Sequence, residues 1–456
     1  MDSKATVRLE RELYPWERAI LGACRLYLVG GTVRDILLGR SIDSVDADYL
    51  AAEIPLDDLT AILGRFGKLN LVGKSFGVIK FTPADGRTVD ISLPRSEFST
   101  GAGHRDFDVR FDPNLPLEKD LERRDFTINS MALDLSSLEI VDPLGGRADL
   151  AARLLRVNRS DSFVEDPLRI LRGAQFVARF DLSVEAGTLE LMKRDAKLLA
   201  AVSPERVRDE LDKVMLLAEC PSRGFLFMHE AGMLAEVLPE LDATHGVTQN
   251  EFHPDDVFLH SLKSCDLVRR ELHLRWAALL HDLGKKAAKT TVDGRVVFYR
   301  HEEESERTAE EVLERLRYPR ELVRRVGGLV RHHMFNITED WSDSAIRRFI
   351  ARAGPENIDD LLALREADNL SRGDASVVDE NRMIRERIDR VRRSDAAFKI
   401  TDLAIDGKDV MEILGIRPGP EIGAVLKRLF DSVLENPGLN TREALTGLVR
   451  EMGNKK

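Results

Sequence analysis

Asp46 and Asp48 stand two positions apart in the run Val45-Asp46-Ala47-Asp48-Tyr49, and that spacing can do chemistry. In a strand, successive side chains point to opposite faces, so both carboxylates project from one face. Paired carboxylates are hard oxygen ligands suited to Mg²⁺ carrying a nucleoside triphosphate. Upstream, the apolar strand Tyr27-Leu28-Val29 runs into Gly30 and Gly31. With no Cβ there, backbone N–H groups can come close to a phosphate. Either feature alone is ordinary: a glycine pair makes a turn, and Asp-x-Asp ends many solvated strands. In this order they describe a metal–triphosphate site. Asp90, in Thr88-Val89-Asp90-Ile91-Ser92-Leu93, is either a third carboxylate beside that pair or a strand-edge Asp facing solvent.

Arginines supply the rest of such a site. Arg34 rides on the first turn of the helix that starts after Gly31. Arg123, Arg124, Asp125 and Asn129 share the stretch RRDFTINSMA. Guanidinium groups suit a triphosphate, and Asp or Asn can bind ribose hydroxyls. In EDPLRILR, Asp166 precedes Pro167 as an N-cap, and the spacing lets Asp166, Arg169 and Arg172 share one helix face. A carboxylate acceptor beside a guanidinium fork can present a donor–acceptor pattern to a base edge, which selects a nucleotide without a nucleic-acid template. A second chemistry gathers further on. His253, His260, His281 with Asp282, His301, and His332 with His333 all precede Asp368 in one segment. Imidazole and carboxylate ligands without thiolate suit a divalent ion bound for hydrolysis.

The elements that must position these groups follow from the pattern. The helix after Gly31 is filled by Ile36, Leu37 and Leu38 and ends at Gly39 as a C-cap. A short helix is predicted near residues 57–67, with strands over 69–72 and 77–81, and the Asp85-Gly86 turn predicts antiparallel pairing of the strands around it. Residues 94–119 read as a long loop, and residues 121–132 as a helix that leaves its polar side chains for ligands. Leu279-Leu280-His281-Asp282-Leu283-Gly284 reads as an apolar helix stopping at the glycine. Beyond Gly373 the chain is helical and arginine-rich; Arg382, Arg385, Arg387, Arg390, Arg392 and Arg393 either meet nucleic acid or form a solvated helix face. The Gly/Pro turn from Gly415 to Gly423 feeds a helix N-terminus able to offer N–H groups to a phosphate.

GGTVRDILLG followed by DAD, then RRDFTINSMA and EDPLRILR, resembles the class II tRNA nucleotidyltransferase and bacterial poly(A) polymerase family. LLHDLGK, with His260 and Asp368, resembles the HD phosphohydrolase superfamily. The resemblance covers nearly the whole chain. It implies an α+β protein: a polymerase-β-like nucleotidyltransferase head with a small mixed sheet over residues 1–157, then an all-α neck with the nucleotide-selecting helix (158–240), an HD domain (241–372) and a tRNA-binding tail (373–456). It implies addition of CCA, or its terminal A, to tRNA 3′ ends from CTP and ATP. Asp46, Asp48 and Asp90 would be catalytic, with Mg²⁺ on Asp46 and Asp48. Gly30, Gly31, Arg34, Arg123, Arg124, Asp125, Asn129, Asp166, Arg169 and Arg172 would hold the nucleotide. His260, His281, Asp282 and Asp368 would bind a metal, with His301 and His332 serving a second one. Poly(A) polymerase, or an RNA-binding HD phosphohydrolase with an inactive head, are the alternatives. The long 94–119 segment goes against a CC-only enzyme, because such members have a shortened loop. Gln175 stands where many relatives carry another Arg.

Composition sets the frame. The 456 residues suffice for two to four domains; 43% are hydrophobic and 32% charged, as in soluble globular proteins. The net charge of −11 counts against broad coating of nucleic acid but leaves room for a local basic patch. No apolar run is long enough for a signal peptide or membrane span. Cys24, Cys220 and Cys265 form no close-spaced pair, which predicts a reducing, cytoplasmic setting.

Overall fold

Leu26, Tyr27, Leu28 and Val29 give β1 (Arg25–Val29) two apolar faces, and the strand is accordingly central in its sheet. It pairs antiparallel with β2 (Asp48–Ala52) on one side and β8 (Ala132–Asp134) on the other. β2 runs parallel to β5 (Val89–Ser92), which continues antiparallel through β4 (Val78–Pro83) to β3 (Gly67–Val72). With β9 (Ile140–Val141) at the far edge, the order is β3-β4-β5-β2-β1-β8-β9, a mixed seven-stranded sheet. This computed structural model describes residues 11–40, 47–72, 78–84, 86–99, 107–249, 254–338, 340–393 and 397–453.

The sheet is anchored by Trp16, whose ring meets Tyr49 and Phe81 edge-on at 5.0 and 5.3 Å. Under it lies Glu17, fully buried, accepting from the Tyr49 hydroxyl at 2.7 Å and from Arg11 at 2.6 Å. A helix leaves β1 at once, Gly31–Leu37, and Gly39 at φ +79° takes the left-handed position that ends it.

Two sequence expectations change here. The segment expected as a long loop contains an antiparallel hairpin, β6 (Arg95–Ser99) with β7 (Phe107–Phe111), whose tip lies outside the described residues. The helix expected over residues 121–132 is a helix ending at Glu122, an extended Phe126, and one 3₁₀ turn, Thr127–Asn129. Its cause is local: the Asp125 carboxylate accepts the N–H of Phe126 at 2.8 Å, and Phe126 bridges to Val157 instead of continuing a helix. The helical remainder also carries two small strand pairs, β10 (Leu154–Leu155) with β11 (Ser183–Val184), and β12 (Lys289–Val292) with β13 (Arg295–Phe298).

Contacts divide the chain into two units, Met1–Val237 and Leu238–Lys456. The first adds to the sheet the helices Leu168–Phe180, Pro204–Leu217 and Pro221–Glu230. The second is helical. Val410, Leu429, Val433, Leu445 and Val449 form the core of its last helices. There Arg347 donates to the carbonyls of Leu434 and Glu435, the C-terminal end of the helix Pro420–Glu435, at 2.6 and 3.0 Å. Several arginines of the late helices have protein partners: Arg382 pairs with Asp379, Arg385 with Asp359, and Arg392 donates to the Pro355 carbonyl. Among the described residues no helix is long and apolar enough to cross a membrane.

Asp360 is the electrostatic hub of the second unit. Its carboxylate meets Arg269, His273 and Arg325 at 2.8, 2.9 and 2.8 Å. Burial alone would raise its pKa, but the His273 hydrogen bond and Arg325 outweigh burial and hold it at about 2. A depressed carboxyl stabilises the fold above its unfolded pKa of about 3.9, and that stability is lost as pH falls toward the folded value. Both arginines are half-exposed, so screening trims the effect. Asp360→Asn is expected to cost about 1–2 kcal/mol at pH 7, with the gap to the parent closing between about pH 4 and 2. Urea unfolding of both proteins across that range measures it; a gap independent of pH means the hub contributes by packing alone.

Candidate functional site

In the first unit, a cleft of about 470 Å³ opens where the glycine turn, the Arg123–Asn129 segment and the helix Leu168–Phe180 converge. Its turn depends on glycine. Gly30 sits at φ +67°, and a Cβ there would lie 2.6 Å from Nη1 of Arg124. The guanidinium of Arg124 thus lies against the turn only because position 30 has no side chain. Asp120, fully buried, aims both arginines: it accepts from Arg123 Nε and Nη2 at 3.0 and 2.7 Å and from Arg124 Nη2 at 3.2 Å.

The nucleotide residues expected from sequence fall into three groups. Gly30, Gly31, Arg123 and Arg124 line the cleft as expected ligands would. Arg34, Asp125, Asn129 and Arg172 also line it, but bond to one another. Arg34 is 4% exposed, stacks on Phe180 at 4.4 Å, and donates to Asp35 at 2.9 Å and to Asn129 Oδ1 at 2.5 Å. Asn129 donates to Asp125 Oδ1 at 3.1 Å, and Asp125 Oδ2 lies 2.9 Å from Arg172. That last contact is an ion pair outside hydrogen-bond alignment, so Oδ2 keeps an open lone pair. Asp166 and Arg169 are on the cleft wall too, held by protein groups. Arg169 donates to Ser162 Oγ at 2.7 Å and to the Arg123 carbonyl at 3.1 Å. Asp166 accepts from Leu168 N–H at 3.2 Å, the expected cap, and from Arg206 at 3.0 Å.

Of the carboxylates, Asp48 opens β2, exposed at the cleft, with its N–H donating to Thr32 Oγ1 at 2.9 Å. Parallel register sets Asp90 directly beside it, half-solvated, with Lys80 Nζ 4.0 Å away. Asp46 lies outside the described residues. Hard carboxylate oxygens, solvent-accessible at the mouth of a cationic cleft, fit a divalent ion that arrives with a triphosphate. Around them the cleft carries eight cationic side chains against four acidic ones. Sequence reasoning missed Asp120, Thr32, Arg206, Lys213 and Glu210 among these positions.

The second unit holds a buried histidine–aspartate cluster. His260 comes from the helix Val257–Leu267, His281 and Asp282 follow the helix Leu272–Leu280, His301 opens the helix His301–Arg315, and Asp368 sits in the helix Ile358–Ser371. The sixth member is His333, immediately after the helix Arg320–His332. His332 was the residue expected; its ring is outside the cluster, because adjacent residues on a helix point about 100° apart. His253 lies outside the described residues.

Every imidazole is turned the same way. The Nδ1 atoms of His281, His301 and His333 meet the carbonyls of Ala278, Phe298 and Val330 at 2.8, 2.9 and 2.7 Å, and His260 Nδ1 meets Ser371 Oγ at 2.9 Å. Those partners favour the proton on Nδ1 and turn Nε2 inward, where that of His260 lies 3.1 Å from Asp368. The Nε2 atoms then confront each other, His260 with His281 and His301 with His333, both at 3.3 Å. Asp282 stands between the pairs, 3.1 Å from His281 and 3.3 Å from His301, with neither oxygen in a well-aligned hydrogen bond. Lys285 Nζ adds an ion pair at 2.7 Å. Burial, with the nearby His281, pushes His333 down to about 3, so its ring is neutral at ordinary pH. Two opposed lone pairs and an unsatisfied buried carboxylate are the donor set of a divalent cation, with Asp282 able to bridge two.

The chain matches a family model described as the poly A polymerase head domain over residues 26–156, and one described as tRNA nucleotidyltransferase domain 2 over residues 296–449. It is 36% identical to the A-adding tRNA nucleotidyltransferase of Deinococcus radiodurans over 89% of this chain and 90% of that one. It is 39% identical to the multifunctional CCA protein of Paracidovorax citrulli over 75% and 83%. Its fold is like that of the Bacillus stearothermophilus CCA-adding enzyme crystallised with CTP, at a TM-score of 0.68 and 24% identity over 97% and 99% of the two chains.

Proposed function

This chain belongs to the class II tRNA nucleotidyltransferase and poly(A) polymerase family, and on that premise we propose that it adds CCA, or its terminal A, to tRNA 3′ ends from CTP and ATP. The observation that carries the reading is the cleft: a glycine turn, an excess of cations and an exposed Asp48 at its mouth suit a polyanion delivered with a metal. Asp48, with Asp46 and Asp90, would hold the divalent ion, Mg²⁺ in this reading, whose chemistry is activation of the tRNA 3′-hydroxyl and neutralisation of the departing pyrophosphate. Arg123 and Arg124, aimed by Asp120, would grip the phosphates. Asp166 and Arg169, kept in place by Arg206 and Ser162, would read the amino-bearing base edges of CTP and ATP. Poly(A) synthesis is the second reading, and the family embraces it.

We read residues 1–157 as the nucleotidyltransferase head, 158–240 as a neck, 241–372 as an HD domain and 373–456 as a tail that meets tRNA. The match over residues 26–156 supports the head and the boundary at Val237 the end of the neck, while the match over residues 296–449 runs across the division at 372. In the HD domain, His260, His281, Asp282 and Asp368, with His301 and His333 sharing Asp282, would hold divalent ions that supply activated water for phosphoester hydrolysis. The scattered cysteines support a cytoplasmic setting.

The test uses purified protein and tRNA transcripts ending before CCA, after CC, or complete, each with one labelled nucleotide. CTP on the first and ATP on the second means CCA addition; ATP on the second alone means A addition; long A tracts on any RNA mean poly(A) synthesis. No incorporation in any lane overturns the reading. Arg169→Ala is expected to narrow the preference for CTP and ATP over UTP and GTP by about 10-fold or more, with a melting point close to the parent's. An unchanged preference removes Arg169 from base selection.

A further inference from the structure

The end of the helix Ile358–Ser371 turns more than a ligand toward the histidine–aspartate cluster. Ser371 and Arg372 follow Asp368 by three and four residues, which places all three on one side of the helix. Asp368 Oδ1 lies 3.1 Å from His260 Nε2, and Ser371 Oγ lies 2.9 Å from Nδ1 of the same ring. Arg372 has its Nη2 3.5 Å from the other carboxylate oxygen, Oδ2. Asp368 thus meets the cluster with one oxygen and a guanidinium with the other.

Exposure shows from which side a substrate comes. The side chains of His260, His281, Asp282, His301 and His333 are each at most 6% exposed. Asp368 is 16% exposed and Arg372 23%. Among the described residues, the cluster therefore meets solvent beside Asp368, where Arg372 stands. Two hydrogen bonds orient the guanidinium: Nη2 donates to Asn369 Oδ1 at 2.6 Å and Nε to the Asp368 carbonyl at 3.4 Å. Neither goes to the Asp368 carboxylate, and Nη1 has no hydrogen-bond partner among the described residues. A basic residue at a helix C-terminus is ordinary dipole chemistry. An oriented fork with a donor to spare, at the open side of a set of metal ligands, is also what a phosphate oxygen needs. Charge points the same way. Asp282 and Asp368 balance a divalent ion, and Lys285 is already paired with Asp282, so the charge of an arriving phosphate calls for a further cation.

We propose that Arg372 is a substrate-binding residue of the second unit: its Nη1 N–H groups donate to a non-bridging oxygen of a phosphate ester whose phosphorus sits at the cluster. This rests on the phosphoester-hydrolase reading above. Because the ligands are so nearly buried, the approach suits a phosphate at a chain end, monoester or 2′,3′-cyclic, better than one inside a strand. In the reaction a water oxygen bonds to phosphorus, one ester P–O bond breaks, and the departing oxygen takes a proton from that water. The guanidinium stays protonated throughout and offsets the charge on the non-bridging oxygens.

The test uses the full-length protein loaded with Ni²⁺ or Mn²⁺, 2′,3′-cyclic AMP as substrate and inorganic phosphate as a binding probe. In Arg372→Ala, kcat/KM for hydrolysis should fall by about 100-fold and phosphate affinity by about 10-fold, while metal affinity stays within about twofold of the parent's. Added guanidinium ion should restore part of the lost rate, which a packing role would not allow. Arg372→Lys keeps the charge without the fork; its hydrolysis should fall by about 10-fold, and it carries the same test should Arg372→Ala fold poorly. Unchanged hydrolysis and phosphate affinity in the folded variants would overturn the proposal. Metal affinity falling in step with hydrolysis would make Arg372 a positioning residue for Asp368 and overturn the substrate contact. A parent that binds phosphate through Arg372 without hydrolysing the ester would overturn the hydrolase reading and leave the contact standing. A parent that does neither would overturn both.

Discussion

Asp48→Ala is expected to reduce nucleotide addition by about 10³-fold or more while leaving the protein folded. The reason lies in where the carboxylate sits. Asp48 is the first residue of β2, exposed, and the burial pattern of the strand begins only at Tyr49. Its backbone N–H fixes the strand to the glycine-turn helix by donating to Thr32 Oγ1. Substitution at an exposed strand start costs within about 0.5 kcal/mol, a shift of only about 2 °C in the melting point of a domain this size. An exposed carboxylate at a strand start adds little to folding and, in our reading, is indispensable for holding the metal that carries the triphosphate. Asp48→Asn separates charge from shape: it keeps the volume and a neutral oxygen, and it should fall nearly as far. The measurement is single-turnover addition of ATP to a tRNA ending in CC, with thermal unfolding alongside. Addition near the parent rate in a folded Asp48→Ala protein would remove Asp48 from the chemistry and leave the cleft as a binding site alone.

Much of this was legible in the order of residues because local rules suffice for it. The strand–glycine–helix turn, the strands around residue 86, and the acidic cap before Pro167 each depend on neighbours a few positions away. What was not legible depends on phase or on distant partners. His333 replaces His332 in the histidine–aspartate cluster through helix phase, and the apolar stripe Val323, Val326, Val330 points to position 333 three residues on. Asp120 carries a similar signal, three and four residues before Arg123 and Arg124, where the last turn of the helix Leu117–Glu122 brings them together. The hairpin Arg95–Phe111 escaped because charged and glycine-rich stretches around it obscure the alternation of a strand. Arg206 could not be read at all, since it reaches Asp166 from a helix that begins some forty residues later.

The cost of burying charge explains why the ligands of the cleft are bound to each other. The chain from Arg172 through Asp125, Asn129 and Arg34 to Asp35 ties the helix Leu168–Phe180 to the glycine-turn helix by alternating donors and acceptors. Asp125 is held below the usual carboxylate range: burial works against this, and Arg172 with the Asn129 hydrogen bond outweighs it. A network of this kind orients side chains before a ligand arrives, so less ordering is needed on binding.

The histidine–aspartate cluster of the second unit should be separable from the cleft. The two sites share no residue, and the cluster draws its ligands from Leu238–Lys456 alone. Asp282→Asn keeps the volume of the side chain but removes the charge that lies 3.1 Å from His281 and 3.3 Å from His301. Without that charge, four inward-facing imidazoles have only Asp368 to balance a divalent ion, and metal affinity should fall by about 100-fold or more. Hydrolysis of a 2′,3′-cyclic phosphate, the reaction we assign to this cluster, should drop to background in Asp282→Asn and in His281→Ala. CCA addition should stay within about twofold of the parent, and Asp48→Ala should give the converse pattern. Both activities are assayed on all three variants, with Mg²⁺, Mn²⁺, Ni²⁺ and Co²⁺ supplied in turn and circular dichroism as the control for folding. Loss of addition together with hydrolysis in a folded Asp282→Asn protein would mean that the cluster serves the transfer reaction. Absence of hydrolysis in the parent with every metal would overturn the hydrolase assignment. Metal binding to the parent but not to Asp282→Asn would then identify the cluster as a structural metal centre, for which the inward lone pairs and the unsatisfied Asp282 oxygens are equally well arranged.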